Sequence, residues 1–271
     1  MSTATLSRRW PVSVHSGPAL SVRLLGAFRV TLDGRPVDTE SSRRTRNVMA
    51  YLFSHRRVPV SRDVLMEVFW PDAGPDAARN CLHVALTGVR RELRRASTAP
   101  VLQRAHDTYR LADTIAVWVD VEDFERRCAE GRRAEQDGDL DAAVRAYEAA
   151  AQLYGGDFFA DDPYAEWAQP ARDALRLLAV DAQTRLVGLY VHRGEYGPAV
   201  HVARWILAND PCNEVAHRQL MSCYAATGHQ HLALGQYRQC ADVLWSTFRV
   251  GPARETRRLY ERLLAGASAA V

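Results

Sequence analysis

Residues 76–95 have the residue types and the spacing of a helix with two different faces. At the helical step of 100° per residue, the apolar residues share an arc of about 100°: Ala78, Leu82, Ala85, Leu86, Val89 and Leu93. Polar and basic residues share an arc of about 80° on the other side, flanked by Asn80 and Arg91: Arg79, His83, Thr87, Arg90 and Arg94. Arginine can donate two hydrogen bonds to guanine, asparagine can pair with adenine, and threonine can bond to either base. The spacing therefore predicts one face in a protein core and one face suited to a DNA groove.

The polar face of this segment is short of acidic residues. Most charged helix faces are ordinary solvated surfaces, and these usually alternate positive and negative side chains. Here Glu92 is the only acidic residue after the first turn. The choice between a solvated face and a nucleic-acid-binding face therefore depends on the rest of the chain.

The charge of the 271-residue chain is divided unevenly. Residues 1–111 contain 18 Arg and 9 acidic residues, whereas residues 112–271 contain 17 Arg and 23 acidic residues. The formal net charge of +3 thus combines a basic N-terminal part with an acidic C-terminal part. Parts of opposite sign indicate a module that binds a polyanion, joined to a second module of another kind.

Several classes of protein do not fit this sequence. No apolar run approaches the roughly 18–20 residues of a membrane span, so we expect no membrane association. Residues 1–20 lack the apolar segment of a signal peptide, and we expect a disordered leader there. The five cysteines are dispersed, which indicates reduced thiols in a cytoplasmic protein: Cys81, Cys128, Cys212, Cys223 and Cys240.

The order of elements in residues 21–118 predicts a winged helix-turn-helix domain with a small β-sheet. Residues 21–40 alternate like strands around an Asp33-Gly34 turn, which is a strong hairpin signal. Three helical segments follow, of which residues 76–95 are the third. Two strand-like runs in residues 101–119 then predict a terminal hairpin, the wing. In this arrangement the third helix reads the DNA groove.

Two further groups of basic residues would flank the third helix. The helix that begins near Ser42 carries Arg43 and Arg44 at its start, where both can contact phosphates. The wing carries side chains that can lie along the minor groove or the backbone: Arg104, His106 and Arg110. A plain solvent-exposed hairpin is the alternative for each of these three.

Residues 119–265 have a helical sequence pattern with an internal repeat. In three segments an Ala lies five residues after a Gly: Gly138 to Ala143, Gly194 to Ala199 and Gly228 to Ala233. The interval from Gly194 to Gly228 is 34 residues, which is the tetratricopeptide period. The chain is therefore predicted to be mainly α, with an all-α domain of tetratricopeptide-like hairpins and a short tail at residues 266–271. Such hairpins present surfaces to a partner protein or to a second copy.

No catalytic or ligand-binding pattern stands out in the sequence. It lacks GxGxxG after a strand, the phosphate loop GxxxxGKS/T, GxSxG, HExxH and CxxC. The histidines and cysteines of residues 212–240 do not have a standard zinc spacing. We therefore expect no enzymatic activity, no cofactor and no metal.

Taken together, residues 21–265 resemble the Streptomyces antibiotic regulatory protein family. In that family an OmpR-type winged helix is fused to a bacterial transcriptional activation domain. The similarity lies in residues 25–30, 33–37, 64–71, 77–80, 89–93, 109–111, 119–121 and 124–125. The wing turn departs from the family pattern, which has Gly before Tyr-Arg-Leu where this chain has Asp107-Thr108. Because a β-branched residue resists positive φ, we expect this turn to differ in geometry.

The resemblance implies a transcriptional activator that is specific for a secondary-metabolite (antibiotic) biosynthetic gene cluster. Its partners would be double-stranded DNA with direct repeats near a promoter, RNA polymerase holoenzyme, and a second copy of the chain on the DNA. The loop at residues 71–75 would contact the polymerase, with Asp72 as the candidate residue.

Side chains near the N-terminus of the third helix usually reach the bases in this docking mode. We therefore expect three residues at base edges: Arg79, Asn80 and His83. Three others would lie nearer phosphates: Arg90, Arg91 and Arg94.

Two other functions stay open at the level of the sequence. A repressor could use the same DNA contacts, with the position of the operator deciding the sign of regulation. A tetratricopeptide-like scaffold would bind a protein through its helical part, while its N-terminal part merely packs. A scaffold would show no steep dependence of DNA binding on salt.

Overall fold

The computed structural model describes residues 19–40 and 42–268, which form two compact units. Among the described residues, the first unit, the N-terminal unit, contains residues 19–24 and those of Phe28–Val119. The second, the helical unit, contains Leu25–Ala27 and residues 120–268. Most of the predicted leader, residues 1–18, and the last part of the predicted tail, residues 269–271, lie outside the described residues.

The described elements extend into both predicted termini. The first strand, β1 (Ala19–Arg23), begins two residues before the predicted end of the leader. Its Leu20 is 1% exposed and pairs with Leu32, so burial fixes this part of the chain. The last helix continues to Ser268, three residues into the predicted tail.

Seven strands form two sheets in the described part of the N-terminal unit. After β1 they are β2 (Arg29–Leu32), β3 (Arg35–Pro36), β4 (Val60–Ser61), β5 (Leu102–Ala105), β6 (Thr108–Leu111) and β7 (Ala116–Val119). One sheet has the order β3-β2-β1-β7, and the other has the order β4-β6-β5. The predicted first hairpin is confirmed, because Asp33 and Gly34 join β2 to β3 with φ values of 53° and 76°.

Strand β7 does not belong to the wing. The predicted terminal hairpin is therefore wrong for the last part of its second strand-like run, residues 116–119. The wing consists of β5 and β6 alone, whereas β7 pairs in parallel with β1. Leu20 lies opposite Val117, and Val22 lies opposite Val119. A parallel partner distant in the sequence has no turn signal to announce it, so the pattern around residue 116 could not show this pairing.

Three helices hold the core of the N-terminal unit, in the predicted order: α1 (Arg43–Ser54), α2 (Arg62–Phe69) and α3 (Pro75–Ala96). Ser42 caps α1, since its hydroxyl accepts a hydrogen bond from the amide of Thr45. The two long helices approach closely at Gly88 of α3. A Cβ atom there would lie only 2.6 Å from Oγ1 of Thr45 in α1. Gly88 therefore fixes the depth at which α3 packs on α1.

The helical unit consists of antiparallel helical hairpins. Its helices are α4 (Asp120–Gln136), α5 (Leu140–Leu153), α6 (Gln169–His192), α7 (Tyr196–Asn209), α8 (Glu214–Ala226), α9 (Gln230–Phe248) and α10 (Arg254–Ser268), with a 3₁₀ turn at Glu166–Ala168. The three repeat glycines adopt positive φ at the turns, between 73° and 78°: Gly138, Gly194 and Gly228. Each repeat alanine is 0% exposed in a helix interface: Ala143, Ala199 and Ala233. The mainly α fold class and the tetratricopeptide-like hairpins are therefore confirmed.

A buried arginine organises the loop between α5 and α6. Arg172 is 5% exposed, and its guanidinium donates to the carbonyl oxygens of Phe158, Asp162 and Pro163, each at 3.2 Å. Within the same loop, Phe159 is fully buried at a φ of 53°, a conformation that costs energy for a bulky residue. The hydrogen bonds from Arg172 hold the main chain on both sides of this residue.

The short segment Leu25–Ala27 docks on the same loop. The amide of Gly26 donates to the carbonyl of Asp157 at 3.0 Å, and the carbonyl of Gly26 accepts from Ala160 at 3.1 Å. Leu25 donates its amide to the buried carboxylate of Asp120 at 2.9 Å. These bonds make the segment part of the helical unit, although β1 and β2 on either side belong to the N-terminal unit.

Across residues 19–40 and 42–268, none of the helices combines the length and the apolar character needed to cross a bilayer.

Candidate nucleic-acid interface

Helix α3 places the predicted DNA-binding side chains along one solvent-facing side. Its 22 residues give it a length of about 33 Å. The predicted apolar stripe is buried, with every member at most 3% exposed: Ala78, Leu82, Ala85, Leu86, Val89 and Leu93. Six predicted binding residues are exposed and Arg90 is half-buried: Arg79, Asn80, His83, Thr87, Arg91 and Arg94. Because the core fixes the stripe, the orientation of the opposite face is fixed as well.

The exposed face also contains two residues that the sequence analysis did not select. Val84 is 70% exposed, one helical turn after Asn80. Arg95 has a side chain that is 63% exposed. Val84 is apolar, so its residue type does not assign it to the polar face, but its position on the helical wheel, 40° from Asn80, does.

The C-terminal half of α3 forms an open basic groove of about 510 Å³. It is lined by Thr87, Arg90, Arg91, Arg94 and Arg95. Four guanidinium groups around one groove provide many N–H donors and no acceptor, which suits the oxygens of a phosphate. The arrangement can therefore hold an anion along the helix.

Glu92 holds two of these arginines in place. Its side chain is completely buried, and its two oxygens accept from Arg91 at 2.9 Å and from Arg95 at 2.6 Å. The acidic residue that interrupts the basic sequence thus lies beneath the basic face, so the outer surface of this half of the helix is positive.

The first turn of α3 contains a second ion pair, between Arg79 and Asp76 at 3.0 Å. The side chains are 54% and 91% exposed. An exposed pair of this kind contributes about 0–1 kcal/mol, so Arg79 can exchange Asp76 for another acceptor at little cost. Asp72 lies just before the helix, in an exposed loop.

The wing turn has its left-handed residue at His106. This residue has a φ of 52°, and it forms a two-residue loop with Asp107 between β5 and β6. Thr108 already pairs with Ala105 as the first residue of β6, so it needs no positive φ. Arg104 donates to the carbonyl of His106 at 2.8 Å, which ties this basic side chain to the tip.

The predicted basic residues of the wing are on its surface. Arg104, His106 and Arg110 are all exposed. Arg110 forms an ion pair with Asp113 at 3.1 Å, and Arg62 at the start of α2 forms one with Asp107 at 3.2 Å. The tip of the wing is thus attached to α2.

The two arginines at the start of α1 have different surroundings. Both are exposed, but Arg44 donates to the carbonyl of Phe69 at 2.9 Å. Its guanidinium also lies over the ring of Trp70, 5.7 Å from the ring centroid. Arg44 therefore fastens the end of α2 to α1, a structural role that the sequence did not indicate, while Arg43 stays a predicted phosphate contact.

One histidine and two cysteines of residues 212–240 lie within the core of the helical unit: His217, Cys223 and Cys240. In the described residues, no three side chains among His, Cys, Asp and Glu converge as a metal site. Buried His217 accepts from Gln236 at 2.7 Å and donates to the carbonyl of Pro211 at 3.0 Å, and burial lowers its pKa. Burial raises the pKa of the Cys240 thiol to about 12. Both residues are therefore neutral at pH 7.

Comparisons with known proteins give results for both units. The model of the bacterial transcriptional activator domain matches residues 119–264. The transcriptional regulatory protein EmbR of Mycobacterium tuberculosis is 28% identical over 249 residues, covering 90% of this chain and 63% of EmbR. The regulatory protein DnrI of Streptomyces peucetius is 25% identical over 256 residues, covering 90% of this chain and 92% of DnrI.

A solved structure supports the same relationship. Mycobacterium tuberculosis EmbR in complex with a low-affinity phosphopeptide superimposes with a TM-score of 0.76 at 27% sequence identity. The match covers 91% of this chain and 65% of the EmbR chain. This chain thus spans a little less than two thirds of EmbR. Since the activator-domain model covers more than half of the sequence, the chain belongs to the bacterial transcriptional activator domain family, and within it to the Streptomyces antibiotic regulatory proteins.

Proposed function

We propose that this chain regulates transcription as a sequence-specific DNA-binding activator. The observation that carries the proposal is the exposed face of α3, where hydrogen-bonding and basic side chains are fixed in orientation by the buried stripe behind them. Both relatives described above bear the name of a regulatory protein, which supports a role in transcription. Such a role requires no catalytic step, no cofactor and no metal, and it is carried out in the bacterial cytoplasm.

The N-terminal half of α3 would read bases and the C-terminal half would bind phosphates. Asn80 and His83 lie near the start of the helix, where side chains reach base edges in this docking mode. Arg79 would join them by exchanging its exposed partner Asp76 for a base. The basic groove further along the helix would then follow the DNA backbone.

Two other elements would hold the backbone on either side of α3. The wing would contribute Arg104, His106 and Arg110, which are exposed on β5, β6 and their turn. The start of α1 would contribute Arg43 and Arg44. Arg44 is already engaged with Phe69 and Trp70, so it would serve the DNA contact chiefly by positioning α2.

The helical unit would serve the assembly on the promoter. Stacked helical hairpins present large surfaces for protein partners, here a second copy of the chain and RNA polymerase holoenzyme. The family resemblance points to direct repeats in the DNA and to control of a secondary-metabolite, specifically antibiotic, gene cluster.

Binding of the full chain to DNA tests the proposal. It also tests whether the N-terminal half of α3 contacts bases and the C-terminal half contacts phosphates. A duplex that the full chain selects from a random library serves as the operator, and a scrambled duplex of equal length serves as the non-specific probe. The Asn80→Ala variant should lose about tenfold in the ratio of specific to non-specific affinity, since a bidentate base contact contributes roughly 1–3 kcal/mol of discrimination.

The matched variant Arg94→Ala should weaken binding to both duplexes alike. Removing one phosphate contact should also reduce the slope of log affinity against log salt by about one. If both variants changed the ratio of specific to non-specific affinity equally, α3 would not be divided into a base-reading half and a phosphate-binding half. Binding of the unaltered chain without a salt dependence would refute DNA binding itself and favour the scaffold.

The exposed loop before α3 gives a separate prediction for polymerase contact. Asp72→Ala should reduce transcription from the selected operator about threefold or more in a reaction with purified polymerase holoenzyme, while affinity for the operator is unchanged. The carboxylate is at the surface and away from the basic groove, so its loss leaves the DNA contacts intact. A parallel loss of affinity and transcription would contradict this role. Reduced transcription upon adding the unaltered chain would identify a repressor.

A further inference from the structure

Val84 is an unusual residue for the exposed face of α3. Helix α3 contains five large aliphatic side chains, and four of them are at most 3% exposed: Leu82, Leu86, Val89 and Leu93. Val84 alone among these five faces solvent, with 70% of its surface exposed. The packing of the N-terminal unit therefore makes little use of its two methyl groups.

The stability of the helix also gives no reason for valine at this position. A β-branched side chain loses rotamer freedom in a helix, so alanine would be the better helix former at an exposed site. Burial offsets little of that cost, because 70% of the side chain is exposed. A binding partner that covers the methyl groups would offset it.

The neighbours of Val84 on the exposed face point to the kind of partner. Asn80 lies one helical turn before it and Thr87 nearly one turn after it, and both are exposed. These side chains form hydrogen bonds, whereas valine can form only apolar contacts. In the major groove the thymine methyl group is the apolar feature of the base edges.

We propose that Val84 recognises the 5-methyl group of a thymine in the operator, so that thymine is the preferred base there. This inference rests on the proposed docking of α3 in the major groove. The rise along the helix places Val84 about 6 Å beyond Asn80, which is less than two base-pair steps. The thymine therefore lies within about two base pairs of the adenine that Asn80 contacts.

The test removes the thymine methyl group and the two methyl groups of Val84 in turn. The probe is the duplex selected from a random library by the full chain, and each thymine is replaced individually by deoxyuridine, which lacks only the methyl group. At one position the replacement should weaken binding of the unaltered chain about fourfold, as expected when one methyl group is no longer buried. Val84→Ala should bind the thymine and deoxyuridine duplexes equally well.

Arg94→Ala is the matched control. It should lower affinity for both duplexes through a lost phosphate contact, yet keep the fourfold preference for thymine. Because Val84 and Arg94 are both exposed, neither variant is expected to disturb the fold, and the helical circular dichroism of each should match that of the unaltered chain.

The outcomes separate this inference from the proposed function. If the unaltered chain binds with a steep salt dependence but no deoxyuridine replacement matters, then Val84 does not read thymine, although DNA binding stands. If Val84→Ala retains the same preference for thymine as the unaltered chain, another residue contacts the methyl group and the inference is overturned. If no duplex is selected and binding does not depend on salt, both proposals fail.

Discussion

Replacing Arg172 with alanine should lower the free energy of unfolding of the helical unit by about 3 kcal/mol. The guanidinium is buried and donates to three main-chain carbonyl groups in the loop between α5 and α6. Alanine would remove the arginine donor from the carbonyl oxygens of Phe158 and Pro163, whereas the oxygen of Asp162 would keep its bond from the Ala165 amide at 3.1 Å. Each buried unsatisfied acceptor costs roughly 1–3 kcal/mol. The loop also contains Phe159 at positive φ, a conformation that persists only when its surroundings hold it.

Urea denaturation of the full chain, followed by helical circular dichroism, measures this loss. Arg185→Ala is the control on the same helix, because its side chain is 40% exposed and pairs with Asp181, which is 47% exposed, and with the half-buried Glu135. That variant should lose less than about 1 kcal/mol. Arg172→Lys should recover little, since an ammonium group cannot reproduce the planar fork of a guanidinium. Equal losses for the two alanine variants would show that the carbonyl contacts of Arg172 do not determine the stability of the unit.

Inserting half a turn of DNA between two operator repeats should weaken binding of the full chain about 100-fold. Two copies that contact each other on adjacent repeats raise each other's effective concentration, which commonly contributes a factor of roughly 100 or more. Repeats about 10–11 base pairs apart present the same face of the duplex to both copies. An insertion of about 5 base pairs rotates the second repeat to the opposite face and breaks the contact between copies.

A series of duplexes with insertions of 0, about 5 and about 10 base pairs provides the measurement. Affinity should fall at half a turn and recover in large part at a full turn, because the original face is restored. A single repeat serves as the control and should bind as weakly as the half-turn duplex. Affinity that does not change across the series would exclude side-by-side binding of two copies, and with it the role proposed for the helical unit on DNA.

Local signals in the sequence were sufficient for most elements of the fold. The Asp33-Gly34 turn and the buried stripe of α3 each depend on residues close in sequence, and each is present as predicted. The repeat glycines specify the turns of the helical hairpins in the same way. Strand β7 depends instead on a partner almost 100 residues away, which a periodic pattern does not reveal.

The candidate site was predictable in its main lines but not in its tertiary contacts. The sequence places most basic residues of α3 on the exposed face, and the structure has them there. It could not show that Glu92 lies beneath two arginines, because that depends on how α3 packs. Nor could it show that Arg44 fastens the end of α2, because that is a contact between two helices. Val84 is a different case, because an apolar residue gives no polarity signal that would assign it to the exposed face.

The path of the chain between the two units limits how the units can be exchanged by recombination. The backbone passes from one unit to the other after Leu24, returns after Ala27, and passes over again after Val119. A recombination event at the last point alone would separate Leu25–Ala27 from the Asp157 and Ala160 main-chain groups of its own protein. A functional chimera must therefore match this three-residue segment to the helical unit of the same parent. We expect the two units to be exchanged between relatives less freely than modules joined by one linker.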